Sequence, residues 1–407
     1  MHTKSIRAMA TDDDGTPNWS ELVTDILSLV FKHLSFTDFA RAKTVCSSWY
    51  FASKSSSPRK NHTPWLILYQ DTHWLMFNSD EEKFYRTVYL GRFAECRGVA
   101  SCGSWVLVFD KEINFYIINP FTPQLIRLPP LEYSNTGTKF ERPGNYVFHL
   151  LFDDRHRTSR AIVGNSVLWV DEKTKDYLVV WSYKEAFVPS PYIYYCSKRG
   201  QEWFEIPAST CGKLFRCLDM AYKDEKLYIL TSNGSIRILD FSLGDLPRQI
   251  DNHPYSHRPF VTEFPNHKMG MRLTTSGDVV MIQCVTTGTH KRSPFRIFKL
   301  SSITETKESS HEVVGWETVH SFEDEESLVW DLSVTLPTKG VSGIKKDSIY
   351  YCHTSLSSSI RETCAYEIPT HKITAYDIPK QDIKPIRHRG ILIGEARWFV
   401  PCFGAGE

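Results

Sequence analysis

Between residues 18 and 52 apolar side chains return every three or four positions. Leu22, Ile26, Val30 and Leu34 are four apart, and Leu27 and Leu29 widen the stripe, the period of an amphipathic helix. Asn18, with Glu21 three positions on, has the form of a capping box, although the helix can start a turn later. The pattern breaks at Ser35–Asp38, where Thr37 or Asp38 can cap a second helix. Phe39, Ala42, Val45 or Cys46, and Trp49 fall on one side of that helix. Two helices this short cannot bury all these groups against each other. At roughly 1.5–3 kcal/mol for each large apolar side chain left wet, the surplus requires a third helix or a partner.

From Trp65 onward the period changes to that of strands. WLILY and WLMF flank Gln70–His73, WVLVFD and INFYIINP flank Lys111–Glu112, and KLYIL and SIRILDF flank Thr231–Gly234. The last of these turns contains Asn-Gly, a favoured tight-hairpin signal. DVVMIQC and FRIFKL flank a longer loop, and SIYYC is expected to pair with CAYEI. Trp203 and Trp316 each stand at the head of a short strand, and strand–turn–strand echoes end near proline in NPFTPQLIRLP, LDFSLGDLPRQI and EIPTHKITAYDIP. Repeats that cannot bury both faces alone predict sheets arranged radially as propeller blades. Hairpin counting gives five to seven blades; a pair of β-sandwiches is the structural alternative. Between the two regions SKSSSPRK reads as a solvated exit, its serines and Pro58 discouraging further helix. The expected organisation is a disordered N-terminus over 1–17, helices over 18–52, a linker over 53–64 and the β domain over 65–403.

The totals narrow the function classes. With 407 residues, 41% hydrophobic and 13% aromatic, a sizeable core is available. Lys and Arg number 48 against 47 acids, a net charge of +1, without the basic excess of a duplex-binding protein. No apolar run approaches the roughly 18–20 residues of a membrane span, and the first residues lack the apolar stretch of a signal peptide. Ten scattered cysteines without a C-x-x-C read as reduced thiols of cytosol or nucleus. Nucleic acid and membrane are therefore not expected partners.

The order of residues in WSELVTDILSLVFKHLSFTDFARAKTVCSSW resembles the F-box, the module that binds a Skp-type adaptor in cullin-RING ubiquitin ligases. The resemblance falls on Leu22, Asp25, Ile26, Leu27, Leu34, Asp38, Val45, Cys46 and Trp49. A helical hairpin packed on its own domain is the plainer alternative. The family's proline would stand at position 23, where this chain has Val23; proline at a first helical position is pre-organised, so its loss predicts weaker docking. By the resemblance, Val45, Cys46 and Trp49 close the helices and share an apolar surface with the adaptor, and Val30 joins them. Cys46 acts there as a small hydrophobe. GSWVLVFD, FYIINPFTPQLIRLPPL, DMAYKDEKLYILTSNGSIRILDF, RLTTSGDVVMIQC and RWFVPCF resemble the plant-specific, kelch-like domain that commonly follows an F-box. The fold expected is thus mainly β: a helical F-box, then a β-propeller-like domain. The resemblance implies a substrate-recognition subunit of a Skp-cullin-F-box ligase acting on an undefined protein target, with no cofactor and no catalysis of its own.

Chemistry-bearing motifs are sparse. No phosphate-binding glycine loop and no G-x-S-x-G elbow occur. His253 and His257 have ligand spacing but lie among prolines; Cys211 and Cys217 read as buried thiols, and His149 and His156 as surface residues. Asp153, Asp154 and Arg155, the acidic run Glu323–Glu326, and the Lys291–Arg292 pair read as solvated turns. A propeller enzyme with a regulatory helix pair, or an F-box scaffold outside any ligase, remain the rival classes.

Overall fold

The computed structural model describes residues 18–56, 63–69, 73–78, 81, 83–87, 90–133, 139–152, 157–185, 188–198, 200, 202–206, 216–242, 246–250, 267–285, 295–303, 313–322, 324–339, 341, 344–352, 373–377, 382–386 and 395–401. The chain divides into two compact units, Met1–His62 with Cys402–Glu407, and Thr63–Pro401.

In the first unit a 3-10 turn, Trp19–Glu21, precedes α1 (Thr24–His33), α2 (Phe36–Ala42) and α3 (Ser47–Ser55). The first helix does start a turn late: Asn18 Oδ1 takes the Ser20 N–H at 3.2 Å and so caps the 3-10 turn instead. Asp25 in the first turn of α1, and Lys32 and His33 in its last, match the helix dipole. The cap of α2 is Ser35, whose hydroxyl oxygen accepts the Asp38 N–H at 3.1 Å, rather than Thr37 or Asp38.

The expected second helix is two helices. At the break Thr44 turns its hydroxyl back on the Arg41 carbonyl at 2.7 Å, a local bond that competes with the helical ladder. Cys46 is then fully extended, with φ −160°, and begins α3. The serine-rich segment read as a solvated exit is in part the end of that helix. Ser53 and Ser55 bond back to the carbonyls of Tyr50 and Ala52, and Ser56 donates to Ser28 Oγ of α1 at 3.0 Å. Ser53 and Ser56 are buried.

The described strands of the second unit form six sheets, the six blades of a β-propeller. Blade 1 holds Trp65–Tyr69, Trp74–Asn78, Lys83–Arg86 and, returning from the far end of the chain, Glu395–Phe399. Blade 2 runs from Arg97–Cys102 to Leu125–Arg127, and blade 4 from Cys217–Lys223 to Arg248–Gln249. Blade 5 runs from His267–Leu273 to Val313–Thr318. Blade 3 is larger, its long strand Arg157–Val170 pairing with Tyr177–Glu185 on one edge and with Val147–Phe152 on the other. Blade 6 joins Glu326–Val329 to Ser348–Cys352 in parallel.

The hairpins read from alternation are present at Trp65–Asn78, Trp105–Ile118, Lys226–Asp240 and Val279–Ile303. In the third, Gly234 has φ +80°, the conformation for which the Asn-Gly step is suited. Two local readings differ. Ser348–Cys352 pairs with Ile373–Asp377, while CAYEI lies outside the described residues. Trp316 sits inside the strand Val313–Thr318, not at its head.

Closure of the ring is the feature that local patterning did not predict. Trp65 pairs with Phe399 and Tyr69 with Glu395, antiparallel throughout. Leu66, Ile67, Leu68, Trp398 and Phe399 of these strands are each fully buried. The apolar clusters straddle neighbouring blades: Trp105 and Phe115 of blade 2 join Trp181 and Trp203 of blade 3, and Trp398 of blade 1 joins Val329 and Tyr350 of blade 6. Gly98 lets blades 1 and 2 meet, because a Cβ there would stand 1.8 Å from the Tyr69 hydroxyl. Gly98→Ala is expected to destabilise the propeller by about 1–3 kcal/mol through overpacking, and Trp398→Ala by about 3–5 kcal/mol. Midpoints of urea unfolding followed by tryptophan fluorescence check both.

Candidate protein-binding surface

The helical unit closes on a small core of Leu27, Phe31, Phe39, Ala42 and Ala52, with Leu22, Leu34 and Trp49 half-buried against it. Phe31 is the hub. Its ring meets Phe39 edge-on at 5.3 Å and Trp49 at 5.7 Å. The Trp49 indole N–H donates to the Trp19 carbonyl at 2.9 Å, tying α3 to the 3-10 turn. This tryptophan therefore fastens the unit, which explains why so large a ring stands near its end.

Helix α1 carries a second apolar row beside the buried one. Val23, Ile26 and Leu29, three apart, are 63%, 44% and 54% exposed. Val45, in the break between α2 and α3, is also exposed, as are Trp19 and the α3 residues Tyr50 and Phe51. The Lys54 ammonium lies over the Tyr50 and Phe51 rings at 4.8 and 5.7 Å. The contrast between the rows is one of neighbours, not of residue type. Leu27 and Phe31 face α3 and α2, while Ile26 and Leu29 face water.

The residues predicted from the motif are thereby sorted. Ile26 and Val45 are exposed and apolar, and Asp25 is exposed at the start of α1. Leu27 is core, not surface, being 1% exposed. Leu22, Leu34 and Trp49 face the core more than the solvent, and Val30 and Cys46 are half-buried. Asp38 is held by the Ser35 hydroxyl at 3.0 Å and by Arg41 at 3.2 Å. The site prediction omitted Val23, Leu29, Trp19, Tyr50 and Phe51. The three-residue spacing of Val23, Ile26 and Leu29 was a signal for the first two, while nothing local marks Tyr50 and Phe51 as uncovered.

Val23 stands one position earlier than expected, as the N-cap of α1 and not its first residue. Its φ of −65° is the angle a proline ring imposes, and Leu22 before it has the extended ψ of 130° that a following proline requires.

Two regions of the chain match family profiles: residues 19–61 the F-box domain, and residues 76–377 the KIB1-4 beta-propeller. The chain belongs to the KIB1-4 propeller family of F-box proteins. Its similarity to Arabidopsis thaliana proteins runs nearly end to end. The probable F-box protein At4g22060 is 32% identical over 96% of this chain and 97% of that protein. The probable F-box protein At4g22165 is 32% identical over 95% and 97%, and F-box protein At2g05970 is 29% identical over 95% and 97%. Among solved structures, the N-terminal domain of Nup159 covers 77% of this chain and 71% of its own at a TM-score of 0.25 and 8% identity, too loose a likeness to carry an argument. The kelch-like expectation thus resolves to a β-propeller of the KIB1-4 description.

His253, His257, Cys211, Asp153–His156, Glu323 and Lys291–Arg292 lie outside the described residues. Glu326 is not solvated: it is buried and accepts from the Thr275 N–H at 3.0 Å and the Thr335 hydroxyl at 2.6 Å. Cys217 is buried and His149 half-exposed on a strand of blade 3. A cleft of about 290 Å³ opens at blade 2 beside Glu95, Cys96, Asp110, Lys111 and Tyr116. Lys111 pairs with Glu95 at 2.5 Å, and Asp110 accepts the Tyr116 hydroxyl at 3.0 Å. Burial, helped by the Asp110 charge, pushes the Cys96 thiol and the Tyr116 phenol each up to about 12, so neither ionises near neutrality. Among the described residues no group of three His, Cys, Asp or Glu could hold a metal, and no helix is long and apolar enough to cross a membrane.

Two substitutions test the local reading. Val23→Pro fits the backbone already present and is expected to stabilise the helical unit by roughly 0.4–1 kcal/mol. Trp49→Phe keeps an aromatic ring but loses both the bond to Trp19 and part of the indole packing on Phe31, at a cost of at least about 0.5–1.5 kcal/mol. Thermal unfolding followed by far-ultraviolet circular dichroism measures both.

Proposed function

We propose that this F-box protein is the substrate-recognition subunit of a Skp-cullin-F-box ubiquitin ligase, working in cytoplasm or nucleus. The observation that carries the reading is the uncovered row Val23, Ile26 and Leu29 on a helix whose other face already closes a core. F-box domains generally bind Skp-type adaptors, and a ten-residue helix with two apolar faces has one to give away. Asp25 stands on the same helix, and Val45 and Phe51 are further exposed apolar side chains of the unit. A standard protein interface buries about 1,600 Å² in total, so most of these side chains take part.

The mechanism is proximity. The helical unit anchors the propeller in the ligase, and the propeller holds a protein target so that its lysines meet a charged ubiquitin carrier at high effective concentration. No bond is made or broken by this chain in such a scheme. Leu22→Asp or Trp49→Ala would confound folding with docking, because both side chains pack on the core. Ile26→Asp and Leu29→Asp avoid that. Each is expected to keep the circular dichroism of the wild type and to lower recovery of a purified Skp-type adaptor at least about tenfold, ~1.4 kcal/mol. Undiminished recovery by both variants overturns the proposal.

A further inference from the structure

The break between α2 and α3 carries an exposed hydroxyl about one turn after an exposed arginine. Thr44 stands three positions after Arg41 and directly after Lys43, and both Arg41 and Thr44 are exposed. The Thr44 N–H and hydroxyl donate to the Arg41 carbonyl at 2.9 and 2.7 Å. The Arg41 guanidinium pairs with Asp38 at 3.2 Å, where both side chains are more than half exposed, so solvent screens the pair and the arginine is weakly held. Lys43 rests its ammonium 4.7 Å over the Phe39 ring.

The same spacing recurs in blade 5, where Thr275 follows Arg272. There the arginine is buried and holds Asp219 at 2.7 Å. The Thr275 N–H donates to the buried Glu326 of blade 6 at 3.0 Å, and its hydroxyl donates to the same oxygen. Equal spacing thus has unequal consequences. Thr275 is locked between two blades, whereas Thr44 has a single local bond to give up.

An enzyme that modifies a hydroxyl must draw out the backbone around it. Helix α2 has seven residues, fewer than a helix needs to persist by itself. Its last bonds, Lys43 N–H to Phe39 and Val45 N–H to Ala42, are both 3.2 Å long. Beyond Thr44, Val45 is 59% exposed and Cys46 is already extended, with φ −160° and ψ 174°. Of residues 41–45 Ala42 alone is buried, so opening this segment uncovers little of the core and costs little.

We propose that Thr44 is a phosphorylation site, read by a protein kinase that recognises arginine three positions before its target hydroxyl, and that the phosphate closes the adaptor surface. The phosphoryl donor is ATP. The bond from Thr44 Oγ1 to the γ-phosphorus forms as the bond from that phosphorus to the β,γ-bridging oxygen breaks; the hydroxyl proton passes to the kinase's base and ADP leaves. The ester oxygen can no longer donate to the Arg41 carbonyl. The phosphate instead draws the Arg41 fork away from Asp38 and sets a charge of about −1.5 to −2 directly before Val45. That charge lies past the C-terminal end of α2, where the helix dipole disfavours an anion, and an apolar partner cannot cover it without stripping its water. Docking therefore weakens. This effect rests on the adaptor reading of the helical unit, while the modification itself does not. A bound adaptor would hide Val45, so the kinase acts on the chain before it is covered.

The test incubates the full chain with ATP and the catalytic subunit of an arginine-directed protein kinase, and maps the product by peptide mass spectrometry. Phosphate is expected at Thr44 and not at Thr275. Arg41→Ala should slow incorporation at Thr44 about tenfold or more with its circular dichroism unchanged, and Thr44→Ala should remove that phosphopeptide. The mapping of wild type needs no variant to fold. The phosphorylated chain, its circular dichroism retained, should recover a purified Skp-type adaptor at about one-tenth the level of the unmodified chain, and phosphatase should restore it. Absence of phosphate from Thr44, or incorporation indifferent to Arg41, overturns the site. Equal recovery by modified and unmodified chains overturns its effect. An unmodified chain that recovers no adaptor defeats the adaptor reading and the closing effect with it, while the site is still decided by the mapped phosphopeptide.

Discussion

A ring of sheets stands or falls by its last strand. In this chain Glu395–Phe399 lies against Trp65–Tyr69, completing a blade whose other strands are the first to be made. Without it the edge of blade 1 would present unpaired backbone groups, and Leu66, Leu68 and Phe77 would lose the cover of Trp398. Each neighbouring blade buries its face on the next, so an opening at one junction removes support from two others. The fold is consequently cooperative around the circle, and at Gly98 an added carbon would collide with Tyr69 of the neighbouring blade.

The helical unit solves a different problem. With about thirty-nine described residues it has too little interior to satisfy every apolar group it carries. Phe31, Phe39 and Trp49 take up the interior, and a hydrogen bond from Trp49 holds the entrance turn in place. What is left over on α1 is ordered by the same helix that orders the core. The wet row is thus presented on a rigid support, and a partner would lose little freedom of this chain on docking.

Local periodicity made the hairpins legible, since pairs such as Trp65–Asn78 and Lys226–Asp240 carry both strands and turn within about fifteen residues. The break before α3 was not legible, because Val45, Cys46 and Trp49 continue the apolar side of a single helix in the sequence, whereas Thr44 bonds back to the Arg41 carbonyl and Cys46 is extended. Nor could residue types separate Leu27 from Ile26; only the position of α3 does that. The blade count depended on a pairing between segments more than three hundred residues apart, which leaves no local trace.

The bare row on α1 has a consequence for the newly made protein. Val23, Ile26, Leu29 and Phe51 are exposed in the folded helical unit, and such patches draw chaperones and other copies of the same chain. An orphan molecule is then in a race between capture by a cover and loss to aggregation. Usable amounts in a cell would follow the supply of that cover more closely than the rate of translation.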